Sequence, residues 1–187
     1  DVYKRQIDPG DELDKLIQVQ MELKLIPEYI FITHGHIDHA GAAKELATKL
    51  NLNIIGPHID DSFLLASLEI QGQMYGMSAQ NFTPDKWLKH EDSISFGNQT
   101  LEIKHCPGHA PGHVIGINHK AKKIIAGDVL FNGSIGRTDL PRGNYQDLID
   151  SINHHLLILD DTYIVHCGHG PDTSIGHERK TNPFLNA

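Results

Sequence analysis

The apolar run Tyr29-Ile30-Phe31-Ile32 opens directly onto Thr33-His34-Gly35-His36-Ile37-Asp38-His39, and this junction constrains the fold more than any other stretch. The run is short and β-prone, so it reads as a buried strand whose C-terminal end delivers three imidazoles and a carboxylate into one loop. Imidazole nitrogen and carboxylate oxygen suit zinc and other first-row divalent ions, and a loop leaving a rigid strand can turn several of them toward one point. A histidine-rich surface turn is the alternative for an isolated His-x-His, but four ligand-type residues at this spacing favour a metal.

The rest of the chain repeats the arrangement. Residues 1–6 carry no patterned element, and Ile7-Asp8-Pro9-Gly10 reads as a strand end entering a turn. Residues 11–24 have helical apolar spacing that Pro27 bars from continuing, and residues 41–50 return as a second helix. A strand at 53–55 ends at Gly56-Pro57, a helix follows at 60–68, and 71–81 reads as irregular. From Asp92 the period changes to two, with a hairpin of 93–96 and 100–104 around Gly97-Asn98 that starts the second half of the fold. Then come the loop His105 to His113, strands at 114–117 and 123–126, Gly127-Asp128, a glycine-rich loop at 131–143 and a helix at 145–159. A last strand at 162–165 leads into His166-Cys167-Gly168-His169-Gly170. Every ligand-type loop follows a strand, and this order predicts sheets covered by helices on their outer faces.

With 187 residues and 39% hydrophobic content the chain can bury a core as one domain, built from two similar halves if the fold is duplicated. The formal charge of −8 and the lack of a basic run make nucleic acid a poor partner. Two cysteines are too few for a disulfide framework, and no apolar stretch approaches the roughly 20 residues of a membrane span. A cytoplasmic protein with no membrane partner is therefore expected. Fourteen histidines, largely in glycine-containing loops, lean toward metal binding.

Thr33 to Gly41, Cys106-Pro107-Gly108-His109 with Pro111-Gly112-His113, Gly127-Asp128, Gly136-Arg137-Thr138-Asp139 and Gly168-His169-Gly170-Pro171 stand in an order that resembles the metallo-β-lactamase superfamily. Within it the chain is similar to short bacterial hydrolases of the glyoxalase II type. The resemblance implies an α/β fold, the αββα sandwich of two β-sheets with outer helices, as a single domain over 1–187. In that pattern Asp8 arrives early, so residues 1–6 are read as non-native and the first N-terminal strands as absent. His34, His36 and His109 would hold one metal, Asp38, His39 and His169 a second, and Asp128 would bridge them. His113 would support the site, Asp8 would orient a ligand, and Cys106 and Cys167 would be free thiols. Cys167 departs from the proline that the family often has there, which puts an oxidisable thiol near the metals.

Two divalent ions, zinc expected and iron or manganese the alternatives, would share a water and lower its pKa from about 15.7 toward about 7. The resemblance implies that the resulting hydroxide attacks a small acyl-thioester such as S-D-lactoylglutathione, with Asp38 as the catalytic proton acceptor. A mononuclear iron persulfide dioxygenase is the competing reading. Among basic residues, Arg137 is expected to pair internally with Asp139. The chain as given ends soon after Asn182-Pro183-Phe184-Leu185, without the helical domain with which longer relatives grip glutathione, so weak discrimination between thiol carriers is expected. The oligomeric state is left open.

Overall fold

The computed structural model describes residues 3–186, with side chains from Ile7 onward. They form two compact units, Asp1–Leu88 with Ser95–Gln99, and Lys89–Ile94 with Thr100–Ala187. Together they give an α/β architecture of mixed sheets and helices, as expected.

The first unit is a parallel sheet in the order β1 (Tyr3–Ile7), β2 (Ile26–Phe31), β3 (Asn53–Ile55). Parallel neighbours need crossover connections, and helices supply them. Helix α1 (Leu13–Glu22) joins β1 to β2, while α2 (Ile37–Ala40) and α3 (Ala43–Leu50) join β2 to β3. A 3-10 turn at Ile59–Asp61 leads into α4 (Ser62–Leu65) and α5 (Leu68–Tyr75). The last two residues of β2, Ile30 and Phe31, are buried, and Ile30 and Ile32 join Leu46, Ile54, Leu65 and Leu68 in one core. Burying each such side chain contributes roughly 1.5 to 3 kcal/mol, which holds rigid the strand end from which the histidine loop departs.

Three expectations are corrected here. Residues 3–6 are strand, not patternless, and pair with β2 from Tyr3↔Ile26 to Ile7↔Phe31; the suggestion that the first residues are non-native falls partly on residues 1 and 2, outside the described residues. Strand β2 begins at Ile26, with Pro27 opposite Lys4 and the register shifting just beyond, where a missing N–H weakens the ladder. The helix expected at 41–50 is α3 at 43–50, with the short α2 preceding it at 37–40, whereas residues 71–75, expected to be irregular, belong to α5, which ends at Gly76 in the left-handed region.

The other large sheet has six strands in the order β11-β10-β7-β6-β5-β4, and its β4 (Ser93–Phe96) and β5 (Gln99–His105) are the expected hairpin. Strands β6 (Val114–Asn118) and β7 (Lys123–Gly127) continue antiparallel. All five residues of β6 are buried, as a central strand covered on both faces requires. The loop expected at 131–143 contains a small hairpin, β8 (Leu130–Phe131) with β9 (Ser134–Ile135). Helix α6 (Tyr145–His155) starts where the Asn144 side chain accepts the Gln146 and Asp147 N–H groups at 2.9 and 3.2 Å. It buries Leu148 and Ile152, with Leu156 just past its end, an i, i+4 stripe packed on the sheet core. Strand β10 (Ile164–Cys167) returns parallel to β7, and it is not the last element: β11 (Thr173–Ser174) and α7 (Ile175–Thr181) follow.

Candidate metal centre

In the first unit the chain leaves β2 at Thr33 with its amide and hydroxyl both donated to one carboxylate. Thr33 N–H reaches Asp8 Oδ1 at 2.7 Å, and Thr33 Oγ1 reaches Asp8 Oδ2 at 2.7 Å. An ionised carboxylate only accepts, so the Thr33 proton points at Asp8 and its oxygen is left to accept from His34 Nδ1, 3.0 Å away. Asp8 Oδ2 also lies 3.1 Å from His39 Nδ1. Both rings therefore carry their proton on Nδ1 and present Nε2 as the lone pair, the arrangement in which a carboxylate orients a metal-ligating imidazole. Donor atoms of Asp8, His34 and His39 lie within 4.8 Å of one another.

His36 is extended (φ −70°, ψ 149°) and precedes α2, with its ring centroid 4.8 Å from that of His34. Thus His34 and His36 stand two apart on an extended segment, while Asp38 and His39 begin a helix, with Asp38 Oδ2 3.8 Å from His39 Nε2. A side chain on Gly10 would put its Cβ 1.7 Å from the Asp38 carbonyl oxygen, so glycine is what lets the Asp8 turn lie against α2.

The second unit holds the other expected ligands. His109 Nδ1 donates to the Arg137 carbonyl at 2.8 Å, which again leaves Nε2 as the lone pair. That Nε2 stands 3.6 Å from Asp128 Oδ2, and His169 Nε2 stands 3.5 Å from the same oxygen. Both separations exceed hydrogen-bond length, yet they are close to the roughly 3.4 Å between ligands arranged tetrahedrally at about 2.1 Å from one cation. Asp128 follows β7, and its own N–H donates to His113 Nε2 at 3.0 Å. His113 is thereby a tautomer protonated on Nδ1, fully buried, and its Nε2 is engaged with backbone. Gly136 lets its loop lie against the Asp128 backbone, since a Cβ there would sit 2.0 Å from the Asp128 carbonyl oxygen. The donor set of both units, neutral imidazoles and carboxylates, suits divalent ions of the zinc, iron or manganese type.

Other side chains fall into place around these. Arg137 forms a two-bond pair with Asp139 (2.7 Å each), as anticipated, and its guanidinium draws the Asp139 carboxyl down to about 2. Arg179 is engaged by the Leu157 and Leu159 carbonyls at 2.8 and 2.7 Å and by Asp161. Cys106 and Cys167 are free thiols. Burial pushes the Cys106 thiol upward, and burial followed by the nearby Asp172 pushes Cys167 up to about 11. Two supporting residues were not legible in the motifs. Thr33 is one, although its place between strand end and first histidine is a usable signal. The other is Asp61, fully buried, whose Oδ2 accepts the Gly35 N–H at 2.8 Å from 26 residues away.

The pattern of the metallo-beta-lactamase superfamily matches residues 7–169. Hydroxyacylglutathione hydrolase GloC of Haemophilus influenzae is 46% identical over 183 residues, covering 97% of this chain and 86% of that protein. Two solved structures superpose at a TM-score of 0.88 over 96% of this chain. They are BLEG-1 B3 metallo-beta-lactamase, 36% identical over 87% of its length, and TTHA1623 in a di-iron-bound form, 38% identical over 88%.

Proposed function

The chain belongs to the metallo-β-lactamase superfamily, and from that premise we propose that this metal-dependent hydrolase is binuclear and cleaves a small acyl-thioester such as S-D-lactoylglutathione. The observation that carries the reading is the approach of His109 Nε2 and His169 Nε2 to the same Asp128 oxygen, at 3.6 and 3.5 Å. In the family's pattern these rings belong to different metals, and a carboxylate between them is the shared ligand. The 46% identity to a hydroxyacylglutathione hydrolase supports the choice of substrate class.

In this reading His34, His36 and His109 hold one ion, Asp38, His39 and His169 the other, and Asp128 both. Bound divalent ions supply Lewis-acid chemistry, acidifying water to a pKa of about 7 and polarising an acyl oxygen. The chain's own residues do the rest. Asp8 and Thr33 keep the His39 and His34 protons on Nδ1, and the Arg137 carbonyl does the same for His109, so that each Nε2 stays a lone-pair donor. Asp38, half exposed with its Oδ2 3.8 Å from His39 Nε2, would accept the proton lost from the attacking water. Two carboxylates do not neutralise two dications, so the site favours charge developing on an acyl oxygen. A thiolate, with a parent pKa of about 8.5, leaves with little help from an acid. Zinc is the metal we assign and the cytoplasm the compartment; no nucleic acid or membrane partner is invoked.

Thiol release from S-D-lactoylglutathione, other acyl-glutathiones and non-glutathione thioesters, at matched metal loading, tests the substrate class. Turnover of the acyl-glutathiones is expected. A fully loaded protein inert toward every thioester in the panel would contradict it.

A further inference from the structure

The loop that carries His34 and His36 is pinned on both sides of His34 by carboxylates from elsewhere in the chain. Thr33 N–H is held by Asp8 at 2.7 Å, and Gly35 N–H by Asp61 at 2.8 Å. Asp61 ends the 3-10 turn Ile59–Asp61 and is fully buried. Gly35 is pressed against the same segment, since a Cβ on it would lie 2.7 Å from Leu64 Cβ and 3.3 Å from the Asp61 carbonyl oxygen. A serine, threonine or asparagine oxygen would accept an amide N–H without the desolvation that a carboxylate suffers on burial. Negative charge beside a loop that takes up dications offsets that desolvation in a way no neutral acceptor can.

We propose that Asp61 is a positioning residue of the metal centre: it fixes the peptide between His34 and His36 so that both rings address one ion, and its buried charge strengthens metal binding. This rests on the reading of His34 and His36 as ligands. Asp61 touches neither substrate nor metal in this account and acts through the Gly35 amide.

The test compares wild type with Asp61→Asn, which keeps an acceptor and removes the charge, and Asp61→Ala, which removes both. Two readouts are taken on the full chain: hydrogen exchange of the Gly35 amide in the metal-free protein, and zinc affinity by competition with a chelator. Asp61→Ala is expected to lose Gly35 protection and to weaken zinc binding by about 10- to 100-fold, and Asp61→Asn to keep protection while weakening binding by about 10-fold, the range typical of supporting partners to ligands. A purely structural role would lower the melting temperature and leave zinc affinity unchanged. Wild-type zinc affinity in a folded Asp61→Ala protein overturns the proposal, and if that variant does not fold, wild-type affinity in Asp61→Asn does so. A wild-type chain that takes up no zinc overturns the ligand reading itself, which is a different failure.

Discussion

Asp128 and His113 sit one hydrogen bond apart and do different work, and substitution separates them. The Asp128 carboxylate faces two imidazole nitrogens, while its amide donates to His113 Nε2. Asp128→Ala is expected to leave most of the fold, lose bound metal and lower turnover by a factor of about 10³ or more, because the shared ligand is gone. His113→Ala strands a buried N–H, which costs about 1 to 3 kcal/mol of stability. Its melting temperature should fall while metal content and turnover change far less. Metal analysis, thermal melts and thiol release on both variants check this, and an inactive His113→Ala protein with full metal would reverse the ranking. At this scale the ligand-type residues were legible because His-x-His-x-Asp-His and the later Gly-Asp and Gly-His-Gly steps are dense local signals. Asp61 was not, since its partner lies 26 residues away and its own stretch showed only the helix expected at 60–68.

Among the elements, those with clean periodicity were readable and those stabilised by polar burial or glycine were not. Helix α6 was expected from its apolar stripe, though four residues too long at its end. Helix α7 was missed because it buries Glu178, which accepts from Gly133 N–H at 3.0 Å and Asn182 Nδ2 at 2.8 Å, and a hydrophobic pattern does not register such residues. Residues 71–75 of α5 were hidden by Gly72 and by the glycine and methionine content around them. The C-terminal end of α6 also carries a pH dependence. Burial first, then the positive charge of protonated His90, Lys104, His154 and His105, lowers the His155 pKa below its ordinary 6.5. The folded state then binds fewer protons than the unfolded one, so stability falls as pH drops through about 6.5 and stops falling below the depressed folded value. His155→Gln should remove part of this loss, narrowing the drop in melting temperature between pH 7 and pH 5 relative to wild type. An identical drop in the two proteins would contradict it.

On the scale of the whole molecule, length and composition pointed to a chain able to bury a core, and the order of strands and helices to an α/β architecture; the structure has that architecture in two compact units with separate hydrophobic clusters. The strand-then-ligand-loop order carried most of this, because a strand end is where a sheet can hold polar groups at fixed positions without burying them in the core. Among the described residues no helix is long and apolar enough to cross a membrane. The expected ligands are spread along the chain from His34 to His169, so one global property, metal stoichiometry, reports on all of them together.

Elemental analysis of protein purified and reconstituted without oxygen, coupled to thiol release and oxygen uptake on the same sample, tests that property most directly. About two equivalents of divalent metal per chain are expected, with thiol release from S-D-lactoylglutathione and no oxygen consumption. One tightly held iron per chain, with oxygen uptake on glutathione persulfide and no thioester turnover, would contradict it.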